Sequence, residues 1–182
     1  MQRRGVNFAS GRFKKEAMND LEPPDSFHLD AAQGWLELGD YVSAFAELEL
    51  IHPLLSAHPD VLAARCDIYC AARKWDAVVT IASNLVEIAP GDGRGWLLRS
   101  FALHELKRTQ EAFDLLLPVA GKFAKLSTIP YNLACYCARL GRIKDASIWL
   151  SRSFKIANAS KIKLMALNDP DLQPLWSKIM KI

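Results

Sequence analysis

The chain has 182 residues, 51% of them apolar and 24% charged, and a net charge of +3. This is one domain's length with enough apolar material for a packed core, which excludes a wholly disordered protein, and the net charge is too small to argue for a nucleic-acid partner. No run nears the roughly 20 apolar residues of a membrane-spanning helix, no apolar stretch of signal-peptide length follows the basic start MQRRGVNFASGRFKK, and four cysteines do not make a disulfide framework: a cytoplasmic protein with reduced thiols and no membrane partner is expected.

In chain order, residues 1–24 read as a basic arm or linker that ends in LEPPD, either partly disordered or carrying a short helix near Arg12–Asp20. From residue 25 a repeat takes over. GDYVSA, RKWDAV, KRTQEA and GRIKDA end at Ala44, Val78, Ala112 and Ala146, each 34 residues after the last. The same spacing relates Leu48, Ala82, Leu116 and Leu150, and the small residues Ala32, Cys66, Ser100 and Ala134. Within a repeat the apolar residues recur at helical spacing on two segments, with a turn such as Gly141 between them. This predicts an all-α solenoid of four antiparallel helix pairs, over residues 25–58, 59–92, 93–126 and 127–158. A lone pair cannot bury its apolar stripe, so the pairs must stack. Residues 159–182 read as a capping helix pair: SKIKLMAL is one helix, and DPDLQPLWSKIM starts another with Asp169 as N-cap, Pro170 in the first turn and an apolar stripe at Leu172, Leu175, Trp176 and Ile179.

The 34-residue period, GDY-x-x-A in the first repeat, Trp96 in the third and N-L-A-C-Y in the fourth carry a resemblance to the tetratricopeptide repeat (TPR) family, small stand-alone bacterial type, over about residues 25–158. The chain departs from the pattern where the turn glycine is Arg73 or Lys107, and where Ser56, Ala124 and Asn158 replace the repeat-ending proline that Pro90 retains. The resemblance implies a right-handed solenoid whose first helices line a concave peptide groove. The groove positions fall on Leu29, Gln33, Asp67, Arg94, Leu97, Phe101, His104, Tyr131, Asn132, Cys135 and Arg139. Asn132 takes the place of a family asparagine that contacts peptide backbone, or else bonds to a neighbouring repeat. Of the places where one subclass grips a C-terminal carboxylate, only Arg94 carries a suitable group, so that clamp is not expected.

Cysteines 135 and 137 lie about 200° apart around a helix and cannot share an ion. The register puts Cys137 in a core column with Trp35, Tyr69 and Leu103, and Cys135 on a more open face with Gln33, Asp67 and Phe101. The histidines lack metal-ligand spacing, and PGDGRGW follows a helix rather than a strand, so it reads as an inter-repeat turn. No catalytic residue, cofactor site or metal site is expected. The expected function is a protein–protein interaction module, a scaffold or adaptor for a protein or peptide partner.

Charge is spread unevenly: residues 25–64 carry −7 with no Lys or Arg, and residues 120–182 carry +8. Two weaker readings rest on this. One is nucleic-acid binding through the basic C-terminal third, which lacks interleaved aromatic residues. The other is salt-sensitive head-to-tail self-association.

Overall fold

The structure, a computed structural model, describes residues 20–181. Residues 1–19 of the arm, with most of the helix expected near Arg12–Asp20, lie outside the described residues. Among the described residues every regular element is helical: α1 (Asp25–Glu37), α2 (Tyr41–Leu48), α3 (Pro59–Ala71), α4 (Trp75–Ile88), α5 (Gly93–Glu105), α6 (Thr109–Leu116), α7 (Thr128–Arg139), α8 (Ile143–Ile156), α9 (Ala159–Leu167) and α10 (Trp176–Ile179), with short 3-10 helices at Pro53–Leu55, Leu117–Val119 and Pro170–Leu175.

The turn inside each pair is the same device four times. Gly39, Arg73, Lys107 and Gly141 all have positive φ, at 83°, 57°, 67° and 76°. The next residue closes the turn: the backbone N–H groups of Asp40, Lys74, Arg108 and Arg142 donate to the carbonyls of Trp35, Tyr69, Leu103 and Cys137 at 2.8–2.9 Å. This is the Schellman bond, and it satisfies carbonyls that the ending helix leaves free. Arg73 and Lys107 hold the left-handed conformation at a cost of about 1 kcal/mol each relative to glycine. The departure from the family's glycine therefore alters the cost of the turn and leaves its geometry unchanged.

The chain divides into two compact bodies, with the boundary inside α5 between Ala102 and Leu103. In the N-terminal body, Leu29, Ala32, Ala44, Leu48, Val61 and Ile68 form one buried cluster. Leu62, Cys66, Val78, Ala82, Leu85, Leu98 and Ala102 form another. The repeating small residues Ala32, Cys66, Ser100 and Ala134 are all fully buried, as are Ala44, Val78, Ala112 and Ala146; small side chains here let the helices of a pair approach closely. Gly95 has the same role between α4 and α5, because a Cβ there would lie 3.0 Å from Val86 Cγ2 and 3.1 Å from its backbone N.

In the C-terminal body, α7 buries Ile129, Leu133 and Cys137, and α8 buries Ala146 and Leu150. Ser153 stands where earlier repeats carry Ile51 and Leu85, and its buried hydroxyl donates to the Ser127 carbonyl at 3.0 Å. Beyond α9 the chain differs from the expected second helix. Pro174 interrupts it, leaving a six-residue 3-10 turn and a four-residue α10. Asp169 does cap this turn, accepting from the Asp171 N–H at 3.0 Å. Leu172, Leu175 and Ile179 are buried, and Trp176 Nε1 donates to the Ala166 carbonyl at 2.9 Å.

Candidate functional site

The register places Gln33, Asp67, Phe101 and Cys135 at one equivalent position on α1, α3, α5 and α7. The first three belong to the N-terminal body. Gln33 is exposed, and Asp67 and Phe101 are half-buried. Phe101 is fixed edge-on against Trp75, with ring centroids 5.7 Å apart and planes at 86°. Its ring therefore stands as a rigid apolar wall rather than a loose side chain.

Asp67 is the electrostatic outlier of this surface. Burial pushes its carboxyl up to about 7, and the Arg94 guanidinium offsets only part of that. Arg94 has nearer anions. Its Nη2 donates to Asp60 Oδ1 at 2.7 Å and its Nε to Asp92 Oδ2 at 2.7 Å, and the Asp92 carboxylate also accepts from the Arg94 backbone N–H at 2.9 Å. The expected groove cation is thus neutralised by two carboxylates of its own body, and the groove is acidic there. Leu29 and Leu97 do not face the groove as anchors. Both are buried in the helix packing, and of the two expected apolar anchors in this body, Leu97 and Phe101, only Phe101 remains accessible.

The expectation of an open groove fails for the C-terminal body. His104, Tyr131, Asn132 and Cys135 are all buried, and the turn after α9 supplies hydrogen-bond partners to three of them. The Tyr131 hydroxyl donates to Asp169 Oδ2 at 3.1 Å, and Cys135 Sγ donates to the same oxygen at 3.5 Å. His104 bridges Thr109 Oγ1 through Nδ1 at 3.0 Å and Asp171 Oδ2 through Nε2 at 2.8 Å. Its ring also packs on Tyr136, centroids 4.9 Å apart. Arg139 Nε stands 3.6 Å from Asp171 Oδ1 and is the one half-exposed member of the cluster. Burial raises the Asp169 carboxyl and the Tyr131 phenol, and so favours their neutral forms. Cys135 is therefore covered and not open. Asn132 reaches no neighbouring repeat through its side-chain nitrogen: Nδ2 is buried without a hydrogen-bond partner.

The other cysteine positions follow the register. Cys66 and Cys137 are fully buried, and burial raises both thiols, that of Cys137 to about 11. Among the described residues no group of three or more His, Cys, Asp or Glu side chains could hold a metal ion, and no helix is long and apolar enough to cross a membrane. A cleft of about 440 Å³ between Leu117, Ala124, Pro130, Trp149 and Ile156 contains none of the expected groove residues.

No family model matches the chain, and no curated protein does. Solved structures do. One crystal form of MamA AMB-1 superposes with a TM-score of 0.60 at 16% identity, covering 87% of this chain and 91% of the other. MamA MSR-1 superposes with a TM-score of 0.60 at 15% identity, covering 86% and 95%. MamA is a helical solenoid of tetratricopeptide type, and this chain has that fold: all-α, built from stacked helix pairs. At such identity the likeness speaks for the fold alone.

Proposed function

We propose that this chain is a stand-alone member of the TPR family, built of four repeats and a C-terminal cover, that works as a protein-interaction module. Its binding surface is the open row Gln33, Asp67 and Phe101 of the N-terminal body. The observation that carries this reading is the pairing of a rigid, accessible aromatic ring with a half-buried carboxyl that feels the Arg94 cation only weakly, Arg94 being held by other anions. A ligand segment that brings an apolar side chain to Phe101 and a Lys or Arg to Asp67 relieves both: the apolar contact supplies most of the affinity and the charge the orientation. The partner is therefore a peptide segment that mixes basic and apolar residues. His104, Tyr131 and Cys135 of the C-terminal body are left out of this surface because they are buried and bonded to the chain's own turn.

Panning random dodecamer peptides on the full chain tests the proposal. Enriched sequences are expected to pair Lys or Arg with a large apolar residue. Phe101→Ala is expected to weaken the selected peptides about 5- to 30-fold, about 1–2 kcal/mol for loss of an aromatic anchor. Tyr131→Ala, beneath the covering turn, is expected to leave affinity unchanged at temperatures where the variant is folded. Peptides that bind Phe101→Ala as well as the native chain would place the site elsewhere.

A further inference from the structure

The 34-residue register sorts the side chains of the first helices by the neighbour they face. Val61 on α3, Gly95 on α5 and Ile129 on α7 occupy one equivalent position and are buried. Ile68, Ala102 and Tyr136 occupy a second and are buried too. Val61 and Ile68 do so against the cluster that α1 and α2 supply, and Gly95 against Val86 of α4. These positions form the face that a repeat turns toward the repeat before it.

In the first repeat the same places are Phe27 and Gly34. Phe27 is 65% exposed, and a Cβ on Gly34 would meet nothing within 4 Å. Leu38, one helical turn further on, is 78% exposed, and Trp35 beside it, expected in the core from its column, is 39% exposed. Phe27, Ala31, Gly34 and Leu38 recur at helical spacing, so they form one stripe, with Trp35 at its edge. No described repeat stands before α1 to cover it. The acidic side chains Asp30 and Glu37, both exposed, flank the stripe, and no Lys or Arg occurs between residues 25 and 64.

A complementary surface exists on the last elements. Leu164 on α9 and Met180 after α10 are 66% and 64% exposed. Lys161 on α9, Lys178 on α10 and Lys181 just after it are exposed as well. The two acidic residues of residues 159–182, Asp169 and Asp171, are turned inward onto Tyr131, Cys135, His104 and Arg139. Among the described residues of this segment, the exposed charged side chains are therefore all lysines.

We infer that the stripe Phe27–Gly34–Leu38 of one copy takes the lysine-rimmed outer surface of α9 and α10 of a second copy. This goes beyond the peptide-binding reading and uses other faces. The two patches differ, so the contact is heterologous: each copy offers both patches, and association propagates into larger assemblies rather than stopping at a symmetric dimer. Opposite charges around two modest apolar patches make a contact that salt weakens.

Light scattering on the full chain, read across concentration, provides the test. At about 10 mM ionic strength, where the Debye length is about 30 Å, the mass is expected to climb above the 20.3 kDa monomer as concentration rises. At about 1 M, where the Debye length is about 3 Å, it is expected to fall back. Asp30→Lys with Glu37→Lys, and separately Lys161→Glu with Lys178→Glu, are each expected to remain monomeric. An equimolar mixture of the two double variants is expected to regain the large masses, because each reversed patch then meets its complement. Circular dichroism checks that the variants are folded; if a double variant is not, the exposed single changes Asp30→Lys and Lys178→Glu carry the same test. A monomer at every concentration in low salt, which residues 1–19 covering the stripe in the same molecule would produce, overturns the inference. Growth that survives either reversal, or a mixture that stays monomeric, overturns it as well.

Discussion

Leu172→Ala is expected to destabilise the C-terminal body by about 2–5 kcal/mol and to expose Cys135 to alkylation. Leu172 is fully buried, and removing a buried leucine side chain forfeits its transfer free energy and leaves a cavity. It follows Asp169 and Asp171 in the turn that covers α7, so loosening it also frees the partners of Tyr131, Cys135 and His104. Urea titration followed by tryptophan fluorescence gives the loss, and mass spectrometry after brief iodoacetamide treatment gives the exposure site by site. The fully buried Cys66, in the other body, serves as the internal control. If Cys135 in the variant reacts no faster than in the native chain, the turn is not what protects the α7 face.

The second large effect depends on pH. The Asp67 carboxyl titrates at about 7 in the folded chain, against an ordinary 3.8. Its neutral form is therefore the one the fold favours, and the native state holds a proton that the unfolded chain has released. Stability falls as pH rises from about 4 to about 7, and the loss is complete above that. Asp67→Asn removes the penalty. It is expected to leave stability unchanged near pH 4 and to raise it near pH 8. A gap of about three pH units corresponds to about 4 kcal/mol, and because the side chain is only half-buried the gain is expected at about 1–3 kcal/mol. Denaturant midpoints at the two pH values decide it: an equal effect at both, or a loss at pH 8, contradicts the placement of Asp67 in a desolvated site.

The helix pairs were legible because stacking imposes a repeated demand on side-chain size. Ala32, Cys66, Ser100 and Ala134 must all be small for the same reason, and the sequence shows them at equal spacing. The turn geometry survives the replacement of glycine by Arg73 and Lys107 because the Schellman bond offsets a modest local cost. What the period could not reveal lies where the chain stops repeating. The turn Pro170–Leu175 has no counterpart in the repeats, so its position over α7 left no mark in the register, and Tyr131 and Cys135 read as groove residues. A signal was nonetheless present: the apolar stripe Leu172, Leu175 and Ile179 needs a surface to bury against, and two aspartates beside it need donors. The partners of Arg94 were hidden for a related reason. Equivalent position showed which way it points, but not that Asp60 and Asp92, in the same body, would hold it. Leu29 and Leu97 show the converse, since a position shared with family groove residues still becomes core when the local side chain is aliphatic and the helices are close.

Amide hydrogen exchange of the full chain, with and without a saturating peptide from the panning experiment, tests the central claim most directly. The account predicts slowed exchange in α1, in α3 around Asp67 and in α5 around Phe101, with residues 128–139 and 168–175 unchanged. Protection centred instead on α7 and the turn that covers it would contradict the assignment of the binding surface to the N-terminal body.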